Sequence, residues 1–199
     1  MIKNIVGVIL AGGESRRFGS PKAFALRDHL PFYQYSLQAI EPFVPSTLIV
    51  TSPKLEGFFM NENIKTSIVK DDETYHGQGP LAGIYTAMDT VVTDWYMVIP
   101  IDVPFVEQWV FKRLIKYIDG GRVDAIVPTV HGKKQPLLSI YHYDMKNWIK
   151  KQLDMGKRSV HELLNERKVV YVSIEEEKPF TNINWKEDYQ QLIQKRDFI

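Results

Sequence analysis

Residues 5–10 (IVGVIL) form an unbroken apolar run, rich in β-branched side chains, that ends directly in a glycine-rich loop. A strand apolar on both sides has to be covered on both faces, and such strands belong to parallel sheets packed between helices. Further strands are expected at 47–51 (TLIVT), 66–69, 95–101 (WYMVIPI) and 124–127. Helices are predicted between them: over 30–40 with Pro31 in the first turn, over 81–88 entered through Gly79-Pro80, and over 105–118, stopped by Gly120-Gly121. This alternation implies an α/β, Rossmann-like, mostly parallel sheet flanked by helices. The last third is less regular, with strands expected at 137–143 and 169–174 and helices at 144–153, 159–164 and 185–195. Trp109, Phe111 and Trp148 read as core. The chain of 199 residues suits a single domain, with no repeat or low-complexity tract.

The loop after the first strand, residues 10–22 (LAGGESRRFGSPK), gathers three glycines with Arg16, Arg17 and Lys22. Glycines at the end of a parallel strand let successive backbone N–H groups form a nest for phosphate oxygens. Arginine adds a planar fork and lysine a point charge. The spacing fits neither common cradle. Gly13 and Gly19 have five residues between them where a Walker loop has four, with no Lys-Ser/Thr in register, and Gly12-Gly13 are adjacent, which breaks G-x-G-x-x-G. The formal net charge of +1 argues against a nucleic-acid surface, so an anion site must be local. With no cysteine, disulfides and thiolate chemistry are excluded, which suits a reducing cytoplasm. No apolar run is long enough to span a bilayer.

Three more stretches carry chemistry. Asp102 follows an apolar strand between Pro100 and Pro104, and in open α/β sheets ligands bind outside the carboxyl ends of strands. A hard carboxylate there suits Mg²⁺. Gly79, Pro80 and Leu81 open a helix whose free N–H groups suit an anion or a base edge. In KPFTNINWKED, Asn182 and Asn184 flank Ile183, so an extended backbone puts both amides on one face, where they suit a heterocycle edge or a helix cap.

LAGGESRRFGSPK resembles the L-A-G-G-x-S-x-R-M-G-x-x-K signature of the molybdenum cofactor guanylyltransferases, within the nucleotidyltransferase superfamily. Phe18 stands where the family usually has methionine, which implies an altered packing contact. Gly79 to Gly83 resembles the family's G-P-L-A-G segment, Asp102-Val103-Pro104 its D-x-P, and the NIN stretch its F-x-N-I-N-T-P-E-D ending, with Trp185 and Lys186 in place of Thr-Pro. KKQPLLSIYH and KRSVHELL are weaker matches.

The resemblance implies transfer of GMP from GTP to the terminal phosphate of molybdopterin, with release of pyrophosphate. It implies Arg17, Lys22 and Asp102 as catalytic residues, with Asp102 holding Mg²⁺. The GTP contacts implied are Leu10, Ala11, Gly12, Gly13, Lys22, Asp71, Gly79, Pro80, Leu81 and Asp102. The V-x-D spacing favours Asp71, with Asp72 its rival. Arg158, Asn182 and Asn184 are implied on the molybdopterin side. Residues 1–104 would then mainly bind nucleotide, and 105–199 mainly the pterin. The expected partners are the two substrates and other molybdenum cofactor biosynthesis proteins, with no nucleic acid and no membrane, in the cytoplasm. Two other readings use the same residues: a superfamily transferase taking CTP or another NTP with a different phosphorylated acceptor, and a non-catalytic GTP-binding protein of this fold.

Overall fold

The structure, a computed structural model, is described over residues 4–13, 18–62, 64, 66–75 and 77–193. Its centre is β1 (Ile5–Ala11), hydrogen-bonded in parallel to β4 (Thr47–Thr51) on one side and β6 (Trp95–Pro100) on the other. β5 (Ser67–Lys70) extends the sheet beyond β4. Beyond β6 come β9 (Ser139–His142), antiparallel to both its neighbours, then β7 (Ala125–Val130) and β10 (Val169–Ile174), with β8 (Lys133–Lys134) paired to β7. The sheet is therefore mostly parallel, as the alternating pattern predicts, with β9 as the reversed insert.

The apolar run of β1 feeds two layers. Ile5 and Ile9 pack on one face with α1 (Phe32–Ile40), α2 (Pro53–Met60) and α4 (Gln108–Leu114). Val6 and Val8 pack on the other with α3 (Pro80–Thr90), α5 (Met145–Asp154) and α6 (Val160–Asn165). Period-two side chains in a strand buried on both faces require this division. β6 repeats it, with Met97 and Ile99 in the first layer and Tyr96 and Val98 in the second.

A third, smaller cluster matters more for the site. Phe18, Phe32, Phe105, Ile183 and Ile193 pack together, with Tyr189 of α7 (Lys186–Leu192) against them. It ties the exit of the glycine loop to the Asp102 turn and to the chain's last segment. Phe18 makes an edge contact with Tyr189, ring centroids 5.5 Å apart.

Several boundaries differ from the sequence reading. The helix expected from residue 30 starts at Phe32, because Leu30–Pro31 (β3) pairs with Leu26–Arg27 (β2) as a small hairpin. Its two turn residues, Asp28 and His29, carry φ of 47° and 66°, the left-handed pair that a two-residue hairpin turn demands. The helix expected over 105–118 is shorter, since Glu107 before it is extended and Ile115–Tyr117 form a 3-10 turn. α2 was not expected, although Ser52-Pro53 is a recognisable start. Trp148 is not core but 40% exposed, its ring covered by the Arg167 guanidinium at 3.6 Å. Among the described residues no helix is long and apolar enough to cross a membrane.

Candidate active site

The chain leaves β1 for helices on one side of the sheet and returns to β6 on the other, so the ends of β1, β4 and β6 diverge. A cavity of about 440 Å³ opens there, lined by Leu10, Gly12 and Gly13 from β1 and its loop, Val50 from β4, and Pro100 and Asp102 from the end of β6. Asp71, Gly79, Pro80 and Gly83 close it from the β5–α3 side, and Leu137 from the segment before β9. This is where open α/β sheets bind ligands.

The β1 end supplies close backbone approach. A Cβ added at Gly12 would lie 2.7 Å from Asp71 Oδ2, so the Asp71 carboxylate rests directly over the glycine. Asp71 is placed there by pairing, its N–H donating to the Thr51 carbonyl at 2.9 Å as β5 ends. Asp72 is occupied locally: its carboxylate accepts from the Thr74 N–H at 2.8 Å, and its own N–H donates to the Thr86 hydroxyl at 3.0 Å. Of the two rival aspartates, Asp71 faces the cavity and Asp72 closes a turn.

Gly79 precedes α3 with φ 80° and ψ −164°, a conformation that side chains other than glycine rarely adopt. Pro80 follows as the first helical residue, where its missing N–H costs nothing. The N-terminal end of α3 therefore meets the cavity with its positive dipole end. Leu81 and Ala11 point elsewhere, their side chains buried in the two core layers.

Lys22 and Asp102 meet at the mouth. Lys22 lies in a 3-10 turn (Lys22–Phe24) and is 8% exposed. Its Nζ donates to Asn184 Oδ1 at 3.1 Å and stands 3.8 Å from Asp102 Oδ2. Burial pulls the Lys22 ammonium below the usual lysine range, and the carboxylates of Asp102 and then Asp188 oppose that. Burial pushes the Asp102 carboxyl above the usual carboxylate range, and Lys22 opposes it. The Asp102 side chain keeps 28% of its surface exposed, so it can still take a ligand.

The last segment completes the group. Ile183 is fully buried, and its N–H donates to the Asp102 carbonyl at 2.8 Å. Asn182 and Asn184 lie to the exposed side, as alternation predicts, but Asn184 turns to Lys22. With Trp185 in place of a capping threonine, Asp188 Oδ2 takes the N–H groups of both Asn184 and Trp185, each at 2.9 Å. Arg158 is exposed, just before the Ser159 cap of α6, and does not line the cavity. Arg17 and Arg16 lie outside the described residues. Sequence reasoning missed Val50 and Pro100, strand ends whose position only the sheet order reveals, and Leu137, which sits within the weakly matching QPL stretch.

Among the described residues no group of three or more His, Asp or Glu is arranged to hold a metal. A single carboxylate such as Asp102, which keeps part of its side chain exposed, suits a hard cation that would draw its other ligands from phosphate oxygens and water.

Comparison with known proteins identifies the family and the fold. The family described as "MobA-like NTP transferase domain" matches residues 7–170. A Bacillus cytotoxicus protein named "Probable molybdenum cofactor guanylyltransferase" is 36% identical over 196 residues, covering 96% of this chain and 98% of that one. A Geobacillus protein of the same name is 35% identical over 196 residues, covering 96% of this chain and 100% of the relative. Among solved structures, molybdopterin-guanine dinucleotide biosynthesis protein A from Archaeoglobus fulgidus superposes with a TM-score of 0.81 at 24% identity, covering 98% of this chain and 100% of that one.

Proposed function

Because the chain belongs to the MobA-like NTP transferase family, we propose that it transfers GMP from GTP to the terminal phosphate of molybdopterin, a nucleotidyl transfer that forms the guanine dinucleotide cofactor. The observation that carries this reading is the convergence of Lys22, Asp102 and Asn184 at the mouth of the cavity. They come from three segments far apart in sequence: the glycine loop, the D-x-P turn and the NIN stretch.

In this reading the guanosine lies in the cavity against Leu10, Gly12, Asp71 and the N-terminal end of α3 at Gly79 to Leu81. The phosphates run along the Leu10–Gly13 backbone toward Lys22. Asp102 would hold Mg²⁺, which when bound would supply positive charge to neutralise the phosphates. An acceptor phosphate oxygen forms the new bond to the α-phosphorus as the bond from that phosphorus to the pyrophosphate oxygen breaks. A phosphate monoester is already anionic at neutral pH, so no general base is required. Lys22, and Arg17 from the same loop, stabilise charge on the departing pyrophosphate, and positioning supplies most of the remaining rate. Asn182, Asn184 and Arg158 face the pterin and its phosphate. Residues 1–104 thus carry mainly the nucleotide side and 105–199 mainly the acceptor side. The reaction is assigned to the cytoplasm, with other molybdenum cofactor biosynthesis proteins delivering the pterin.

Pyrophosphate release measured with each of the four NTPs, with and without molybdopterin and Mg²⁺, tests the proposal. Release with GTP that depends on both is expected. Release with CTP and a different phosphorylated acceptor would point to another transferase of this fold. GTP binding without any release would mark a non-catalytic binder.

A further inference from the structure

The turn that carries Asp102 is tied where it leaves β6 by the Ser36 hydroxyl, which donates to the Pro100 carbonyl at 3.1 Å, and by the Ile101 N–H, which donates to the Leu10 carbonyl at 3.3 Å. It runs from Pro100 to Pro104, and proline has no N–H to donate. One shoulder is fixed by the Ile183 N–H on the Asp102 carbonyl. The other shoulder is fixed by a residue from outside every motif so far considered. Arg27, in the small hairpin after Lys22, donates from Nη1 to the carbonyl of Pro104.

The Arg27 side chain is itself held on all sides. Its guanidinium carbon lies 4.7 Å from the ring centroid of Tyr35 and 4.7 Å from that of Phe105, the residue after Pro104. Its Nε stands 3.2 Å from Asp28 Oδ2. The Tyr35 hydroxyl donates to the Arg27 carbonyl at 2.6 Å, and the Tyr189 hydroxyl of α7 donates to the neighbouring Leu26 carbonyl at 2.6 Å. The left-handed φ values at Asp28 and His29 make the tight turn that sets Arg27 at this spot. A planar cation between two rings, with its fork on a backbone carbonyl, is arginine's geometry and not lysine's.

We infer that Arg27 is a positioning residue for the metal carboxylate: by clamping Pro104 it fixes the turn that aims Asp102 at Lys22 and the cavity. The residue acts through the backbone, and it joins the segment bearing Lys22 to the segment bearing Asp102. The inference rests on the proposed role of Asp102, and the test separates the two.

Binding of Mn²⁺ to the full-length protein with GTP and no acceptor is measured by electron paramagnetic resonance, together with the thermal midpoint. Arg27→Met should weaken Mn²⁺ binding by about tenfold, the usual cost of losing a group that orients a metal ligand. Arg27→Lys should fall between, because an ammonium reaches the carbonyl but cannot lie flat between the rings. Ile149→Val in α5 provides the control: Ile149 is fully buried in the core layer on the other face of the sheet, away from every Arg27 contact, so its midpoint should fall while Mn²⁺ affinity stays at the parent value. Equal affinity in parent and Arg27→Met, or an equal loss in Ile149→Val, overturns the role of Arg27 alone. A parent protein that binds no Mn²⁺ beside GTP overturns the metal role of Asp102, and with it this one.

Discussion

The two sides of the site are built differently. The proposed nucleotide side is a cavity walled mostly by strand ends and a helix N-terminus, with Leu137 added from the segment before β9. The proposed acceptor side is exposed: Asn182 and Arg158 stand on the surface, on irregular segments. Between them lies a seam of a few bonds, the Lys22–Asn184 hydrogen bond and the Ile183 N–H on the Asp102 carbonyl. A site enclosed before its ligand arrives gives up little entropy on binding, whereas an open one must order its side chains around the ligand. Changes at the seam should therefore stop chemistry, changes in the cavity should weaken nucleotide binding, and changes on the open side should act more weakly.

The largest effect is expected at the seam. Lys22→Ala and Asp102→Ala should each lower turnover on the order of a hundredfold or more, the cost of removing a preorganised charge. Stability should move the other way. Burial raises the Asp102 pKa, so the metal-free native state binds that proton more tightly than the unfolded chain does. Stability should then fall as pH climbs from the ordinary carboxylate range through the raised value. Lys22, shifted down, favours its neutral form when folded, so stability should rise again as pH passes its lowered value toward the ordinary lysine range. The double variant Lys22→Met/Asp102→Asn removes both costs. It should be inactive, should lack both slopes in thermal melts against pH, and should melt no lower than the parent at neutral pH. A double variant much less stable than the parent would make the pair a structural bridge.

How much of this was legible in the sequence follows the same division. The strands buried on both faces are plain in IVGVIL and WYMVIPI, since period-two side chains serving two layers leave no polar position. The cavity walls from β1, β6 and α3 were legible because glycines and a carboxylate sit where those elements end or begin. The V-x-D spacing already favoured Asp71 over Asp72, and the pairing of Asp71 with Thr51 is what turns its carboxylate to the cavity. The seam was not legible. Alternation puts Asn182 and Asn184 on one side, but nothing local says that Asn184 meets Lys22, 162 residues away. The hairpin escaped because two-residue strands carry no periodicity and its turn uses Asp-His where Asn-Gly would have signalled it.

A middle-sized effect is expected inside the cavity. Gly12→Ala places a methyl group 2.7 Å from Asp71 Oδ2, too close for either to stay. The obstacle is the end of one short side chain, so the fold should survive with Asp71 swung aside. GTP affinity, measured by calorimetry, should fall by about tenfold to a hundredfold, the range that 1–3 kcal/mol of overpacking spans. The thermal midpoint should change little. If affinity holds, Asp71 is not a nucleotide contact and the preformed character of the cavity matters less than its outline suggests.

The smallest effect is expected on the open side, at Arg158. Its side chain is exposed, so any bond to a pterin phosphate forms in water and is screened by salt. Arg158→Ala should raise the KM for molybdopterin by roughly threefold to tenfold, given the modest worth of exposed ion pairs. The KM for GTP should stay unchanged, and the penalty should shrink as ionic strength rises. A loss of kcat as large as that from Lys22→Ala would break the comparison: Arg158 would then have to reach the reacting phosphates, and the acceptor side would have to close over the seam when its substrate binds, becoming as enclosed as the cavity opposite.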